Sequence, residues 1–133
     1  MSDTTPITNN EGTTFADVDN RIHAYLEARD WLYNSPRSVA ISIALEATEL
    51  LEHYQWSEKP VGDTQALGEE LADVLIYCFQ FAHIQGIDLA SAIEQKLQKA
   101  AKKFPAEAFK GKSGDQLADA WKTAKLNYKK EGL

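Results

Sequence analysis

Cysteine occurs once, at Cys78, which excludes an intrachain disulfide framework. Cys78 lies inside an apolar run and reads as a small core residue rather than a nucleophile. No uninterrupted apolar stretch approaches the roughly 20 residues needed to cross a bilayer, so no membrane partner is expected. The opening MSDTTPITNNEG has no apolar h-region, and no secretory signal is expected from it. Basic residues are in the minority, 14 against 20 acidic, for a net charge of −6. That balance argues against a nucleic-acid surface, which calls for a basic stripe. There is no glycine-rich phosphate loop and no internal repeat, and no segment shows the strict alternation of a half-buried strand. Together these absences point to a cytoplasmic, reducing setting and to helices.

At 133 residues the chain is one domain by length. Residues 1–13 are small, polar and without apolar periodicity, and read as a disordered arm. Thr14 is placed to cap a first helix through FADVDNRIHAYLEARDWL, with Phe15, Val18, Ile22, Tyr25 and Leu26 spaced for one face. Ser35 before Pro36 reads as the N-cap of a second helix that runs to about Trp56. A third starts near Asp63 or Thr64 and stops at Gly86. Asp88 opens a fourth, which Pro105 ends, and Ser113 with Gln116 is placed as a capping box for a last stretch, DQLADAWKTAKLNYKK. The expected fold is all-α, an antiparallel bundle of four to five helices. Its expected division is a helical domain over 14–106 and a helical extension over 107–133.

Asp73 is the only formal charge in the run LADVLIYCFQFAHIQGI. Burying an isolated charge is far more costly than burying a hydrogen-bonded polar group, so this carboxylate needs a cation or a proton. At 100° per residue, Glu70, Asp73, Tyr77 and Gln80 share a strip on the third helix. On the second helix Ser42, Glu46, Glu49 and His53 form a matching strip between two apolar flanks, with Ile41, Leu45 and Trp56 on one side. This patterning places both strips within the packing. Set against each other, they bring four carboxylates to one point, and like charges that close do not all stay ionised without a cation. An all-oxygen set without cysteine selects hard ions, Mg²⁺ first and Mn²⁺ second. A di-iron carboxylate bundle requires Glu-x-x-His pairs. None is present, since Gln80, Leu50 and Asn20 stand three residues before His83, His53 and His23.

ALEATELLEHYQW followed by EELADVLIY resembles the E-x-x-E … E-x-x-D signature of the MazG-like, all-α nucleoside triphosphate pyrophosphohydrolases, in particular the small dCTP pyrophosphatase branch. The likeness runs from about Phe15 to Pro105 and includes the RDW after the first helix and the aromatic-proline pair Phe104-Pro105. It implies hydrolysis between the α- and β-phosphates to a monophosphate and pyrophosphate, with Mg²⁺ held by Glu46, Glu49, Glu70 and Asp73. Glu52 matches a further family acid, and either it or Glu69 is implied to orient the attacking water. Lys96, Lys99, Lys102 and Lys103 fall in the segment that supplies phosphate contacts in relatives. His23, Trp31, Trp56 and Tyr77 match an aromatic box around the nucleobase.

Two departures bear on selectivity. Ser38 and Ala100 stand where relatives often carry asparagine, and each removes an amide that reaches a nucleotide. The implied partners are a nucleoside triphosphate and further copies of this chain, a tetramer before a dimer. The second and third helices are apolar over too much of their circumference for one small bundle to cover. A dUTP- or phosphoribosyl-ATP-directed enzyme of the same superfamily stays open. So does a non-enzymatic helical interaction module with a structural cation.

Overall fold

The computed structural model describes residues 12–130, so most of the expected N-terminal arm lies outside the described residues. Among the described residues there is no strand, and the all-α expectation is met. The helices are α1 (Phe15–Glu27), α2 (Pro36–Glu52), α3 (Thr64–Gln85), α4 (Leu89–Lys103), α5 (Ala106–Phe109) and α6 (Gly114–Lys130), with a 3-10 turn at Trp31–Tyr33. Two compact units form: the first ends at Leu89, the second begins at Ala90. The division between these units falls at the start of α4.

Local chemistry sets most helix boundaries. Thr14 and Asp17 form a reciprocal capping box at the start of α1. The Thr14 backbone N–H, with its hydroxyl, holds the Asp17 carboxyl below its ordinary value. Ser35 caps α2 with Pro36 in the first turn. Asp63 caps α3 by accepting from the Ala66 N–H at 2.9 Å. Gly86 ends α3 in the left-handed region at φ 65°, where a side chain is disfavoured. Pro105 ends α4 as expected, and the short α5 starts directly after it.

Two helices stop earlier than periodicity indicates. α1 ends at Glu27, five residues short, because the Arg29 guanidinium takes the Tyr25 carbonyl at 2.8 Å and stacks 3.8 Å from the Tyr25 ring centroid. Asp30 then turns left-handed at φ 58°, a conformation Asp tolerates better than most residues. α2 ends at Glu52 rather than Trp56 because the chain folds back: the His53 carbonyl accepts from the Val61 N–H at 2.8 Å.

In the first unit α2 and α3 pack antiparallel, the end of α2 beside the start of α3, and α1 lies against α3. Leu26, Val39, Phe79 and Ala82 are its buried apolar residues, joined by the buried amide of Gln80. Phe15 packs on Phe79 with ring centroids 5.1 Å apart. In the second unit Phe104 stacks on Trp121 at 4.7 Å and meets Phe109 edge-on at 5.6 Å, around a buried Ala124. Burial raises the half-buried Cys78 thiol, which suits a packing role rather than a nucleophile.

Candidate metal centre and adjoining cavity

Helical spacing puts Glu46 and Glu49 on one ridge of α2, and Glu70 and Asp73 on one ridge of α3. Because the two helices run antiparallel, those ridges meet. One oxygen from each of the four carboxylates lies within 4.8 Å of the others. This is the only such group among the described residues.

The sequence places these acids within the packing, and the structure corrects that. Glu46 and Glu70 are half-buried, while Glu49 and Asp73 are exposed. The flank expected to cover them is itself open: Ile41 is 50% exposed and Leu45 61%. Partial burial raises the Glu46 carboxyl above its ordinary value. The Glu49 charge, a hydrogen bond with the Glu49 side chain and the Asp73 charge add to that rise. Glu46 thus holds a proton more readily than an isolated carboxylate does, which is the response of a partly desolvated acid beside like charges.

The donor set fits a hard divalent ion. Magnesium–oxygen bonds are about 2.0–2.1 Å, so opposite ligands in an octahedron stand about 4 Å apart, and calcium spans somewhat more. Four carboxylate oxygens within 4.8 Å match that span with little adjustment.

Asp73 also lines a cavity of about 460 Å³ formed by α1, the 3-10 turn, α2 and α3. Its aromatic walls are Tyr25, Trp31 and Tyr77, and Asn34, Ser38, Ser42 and Gln80 supply polar groups. Tyr25 meets Trp31 edge-on at 5.8 Å. Gln80, 3% exposed, donates from Nε2 to the Trp31 carbonyl at 2.9 Å and ties the turn to α3. Of the aromatic box, Trp31 and Tyr77 line this cavity; His23 and Trp56 do not. The His23 ring lies 4.7 Å from that of His83, whose Nε2 is 2.7 Å from Asp19 Oδ1. Trp56 sits in the loop after α2 and is 85% exposed. Glu52 and Glu69 are exposed and stand outside the converging four.

The basic segment belongs to the second unit. Lys96 and Lys99 are exposed on α4. Lys103 is half-buried, its ammonium 4.6 Å from the Tyr128 ring centroid, and it lines a separate cavity with Lys102, Lys112 and Tyr128.

A family model described as MazG-like matches residues 41–119, more than half of the chain and all four converging acids. The chain belongs to the MazG-like family. Among curated relatives, dCTP pyrophosphatase 1 of Homo sapiens is 34% identical over 110 residues, covering 75% of this chain and 64% of the human one. The Bos taurus protein of the same name is 31% identical over 118 residues, covering 81% and 69%. The Mus musculus protein is 32% identical over 108 residues, covering 74% and 63%. The match thus spans just under two thirds of the mouse and human relatives.

Tyr25 and Asn34 in the cavity wall, and the pairing of His53 with Glu70, carry no signal as site residues in the sequence of this MazG-like chain. Tyr25 shows there only as one residue of an apolar face. His53 shows there as a member of the acidic strip, without its partner.

Proposed function

We propose that this chain is an Mg²⁺-dependent pyrophosphohydrolase that converts (deoxy)nucleoside triphosphates, with dCTP or modified dCTP first among them, to monophosphate and pyrophosphate. The observation that carries this reading is the junction at Asp73. Four carboxylates converge there on the rim of an aromatic-lined cavity. At about 460 Å³ the cavity lies within the range of small-molecule sites. The family match and the dCTP pyrophosphatase relatives support the reaction type.

Glu46, Glu49, Glu70 and Asp73 hold the ion, with Mn²⁺ an acceptable substitute for Mg²⁺. Bound there, the cation offsets phosphate charge and acts as a Lewis acid. Trp31 and Tyr77 stack against the base, since aromatic faces accept any nucleobase and leave selectivity to nearby polar groups. The amide absent at Ser38 is offered in the same cavity by Asn34. Phosphoryl transfer relies on positioning and charge more than on a protein nucleophile, so no side chain need be consumed. Glu52 or Glu69 orients the water, and Lys96, Lys99 and Lys103 contact phosphate.

The active form is a homo-oligomer, a tetramer in preference to a dimer. The first unit's buried apolar set is small, while Ile41, Leu45, Leu71 and Leu75 on α2 and α3 are each at least half exposed.

A turnover panel across dNTPs, dUTP and phosphoribosyl-ATP with Mg²⁺, run with Asp73→Ala in parallel, tests this reading. Highest kcat/KM for dCTP and loss of turnover in the folded Asp73→Ala protein are expected. No turnover with any nucleotide would favour an interaction module; near-wild-type activity in Asp73→Ala would remove the metal assignment.

A further inference from the structure

His53 caps the C-terminus of α2, and its ring is held on both sides. Nδ1 accepts from the Gly62 backbone N–H at 3.1 Å. A neutral imidazole carries one ring hydrogen, so an accepting Nδ1 leaves that hydrogen on Nε2. Nε2 lies 3.5 Å from Oε1 of Glu70, with the two side chains only 15% and 25% exposed. The backbone of the same loop is closed by the Val61 N–H on the His53 carbonyl.

Gly62 is fitted to this arrangement. A Cβ there would stand 2.6 Å from Cε1 and 2.7 Å from Nδ1 of His53, and 2.9 Å from the Ala66 Cβ on α3, closer than such atoms tolerate. The imidazole can turn aside, but the Ala66 Cβ is fixed to the α3 backbone, so a side chain at 62 displaces the ring and also shifts the loop against α3.

We propose that His53 is a positioning residue for Glu70. Held by the Gly62 amide, its Nε2–H restrains one carboxylate oxygen and leaves the other directed to a divalent cation. The inference rests on reading the acidic quartet as a cation site. Partners of this kind orient metal ligands, and their loss commonly lowers metal affinity about 10- to 100-fold. A role confined to closing the 53–62 loop would instead change stability and leave cation affinity alone.

The two roles separate in a Mn²⁺ titration followed by electron paramagnetic resonance, alongside thermal melting in chelator. His53→Asn keeps an acceptor near the Gly62 N–H and lacks the reach to Glu70. His53→Gln extends an amide N–H toward Glu70. The expected result is about a tenfold loss of Mn²⁺ affinity in His53→Asn with chelated melting little changed, and recovery of most of that loss in His53→Gln. Gly62→Ala displaces the ring and also presses on Ala66 at the start of α3, so it should weaken Mn²⁺ binding by at least a similar factor and lower the chelated melting temperature. Combined with His53→Asn, the double variant should lose less affinity than the two single losses summed, because part of each acts through one ring. Mn²⁺ binding by wild type with His53→Asn and Gly62→Ala each within twofold of it would overturn the positioning role while leaving the cation site standing. Absence of Mn²⁺ binding by wild type would overturn both.

Discussion

Gln80 carries a buried polar group whose removal should be felt both in stability and in substrate binding. Its Nε2–H is the link between α3 and the Trp31 carbonyl, at 2.9 Å, on a side chain only 3% exposed. Gln80→Leu keeps the bulk and removes the donor. The Trp31 carbonyl would keep only the long 3.5 Å hydrogen bond from the Asn34 N–H, and losing the better partner of a part-buried polar group costs about 1–3 kcal/mol. For 133 residues 1 kcal/mol corresponds to roughly 3–5 °C in Tm, so a fall of about 3–15 °C is expected. The melts need matched protein concentration, since any assembly makes Tm concentration-dependent. The 3-10 turn carries Trp31 into the cavity wall, so loosening it should raise KM for dCTP by about three- to tenfold, given that 1.4 kcal/mol is a factor of ten. Because Trp31 would grip substrate and transition state alike, kcat should stay within about twofold. Unchanged Tm and unchanged KM would refute the idea that this hydrogen bond builds the cavity. A fall in kcat at constant KM would place Gln80 in the chemistry instead.

The raised Glu46 carboxyl gives a pH prediction with a definite sign. A folded-state value above the unfolded one contributes stability that is present below the ordinary carboxyl range and lost as pH rises through the raised value. Cation-free protein should therefore lose stability as pH climbs from about 4.5, and added Mg²⁺ should restore it at neutral pH with release of a proton. Glu46→Gln should flatten that pH dependence in differential scanning fluorimetry; an unaltered profile would mean the proton resides elsewhere. On the exposed α2 face, Leu45→Asp should shift sedimentation toward monomer and lower activity, whereas an unchanged sedimentation coefficient would place the subunit contact on another surface.

Helix starts were legible in the sequence because caps are local. Thr14, Ser35 and Asp63 each accept a backbone N–H three residues ahead, and Gly86 supplies the left-handed turn. Helix ends were less so. α1 and α2 stop where Arg29 captures the Tyr25 carbonyl and where Val61 and Gly62 return to His53, contacts that periodicity does not register. The convergence of the four acids followed from two helical strips facing each other. Their exposure did not, because an apolar flank such as Ile41 and Leu45 says nothing about whether the same chain covers it. The cavity draws Asn34 and Ser38 from one segment and Gln80 from another, and only the fold brings them together.

Product identity is the decisive observation. Wild-type protein incubated with dCTP and Mg²⁺, with products resolved by ion exchange, should yield dCMP and pyrophosphate in equal amounts, and none with Asp73→Ala. Formation of dCDP with orthophosphate, or no consumption of any nucleoside triphosphate, would contradict a pyrophosphohydrolase built on Glu46, Glu49, Glu70 and Asp73.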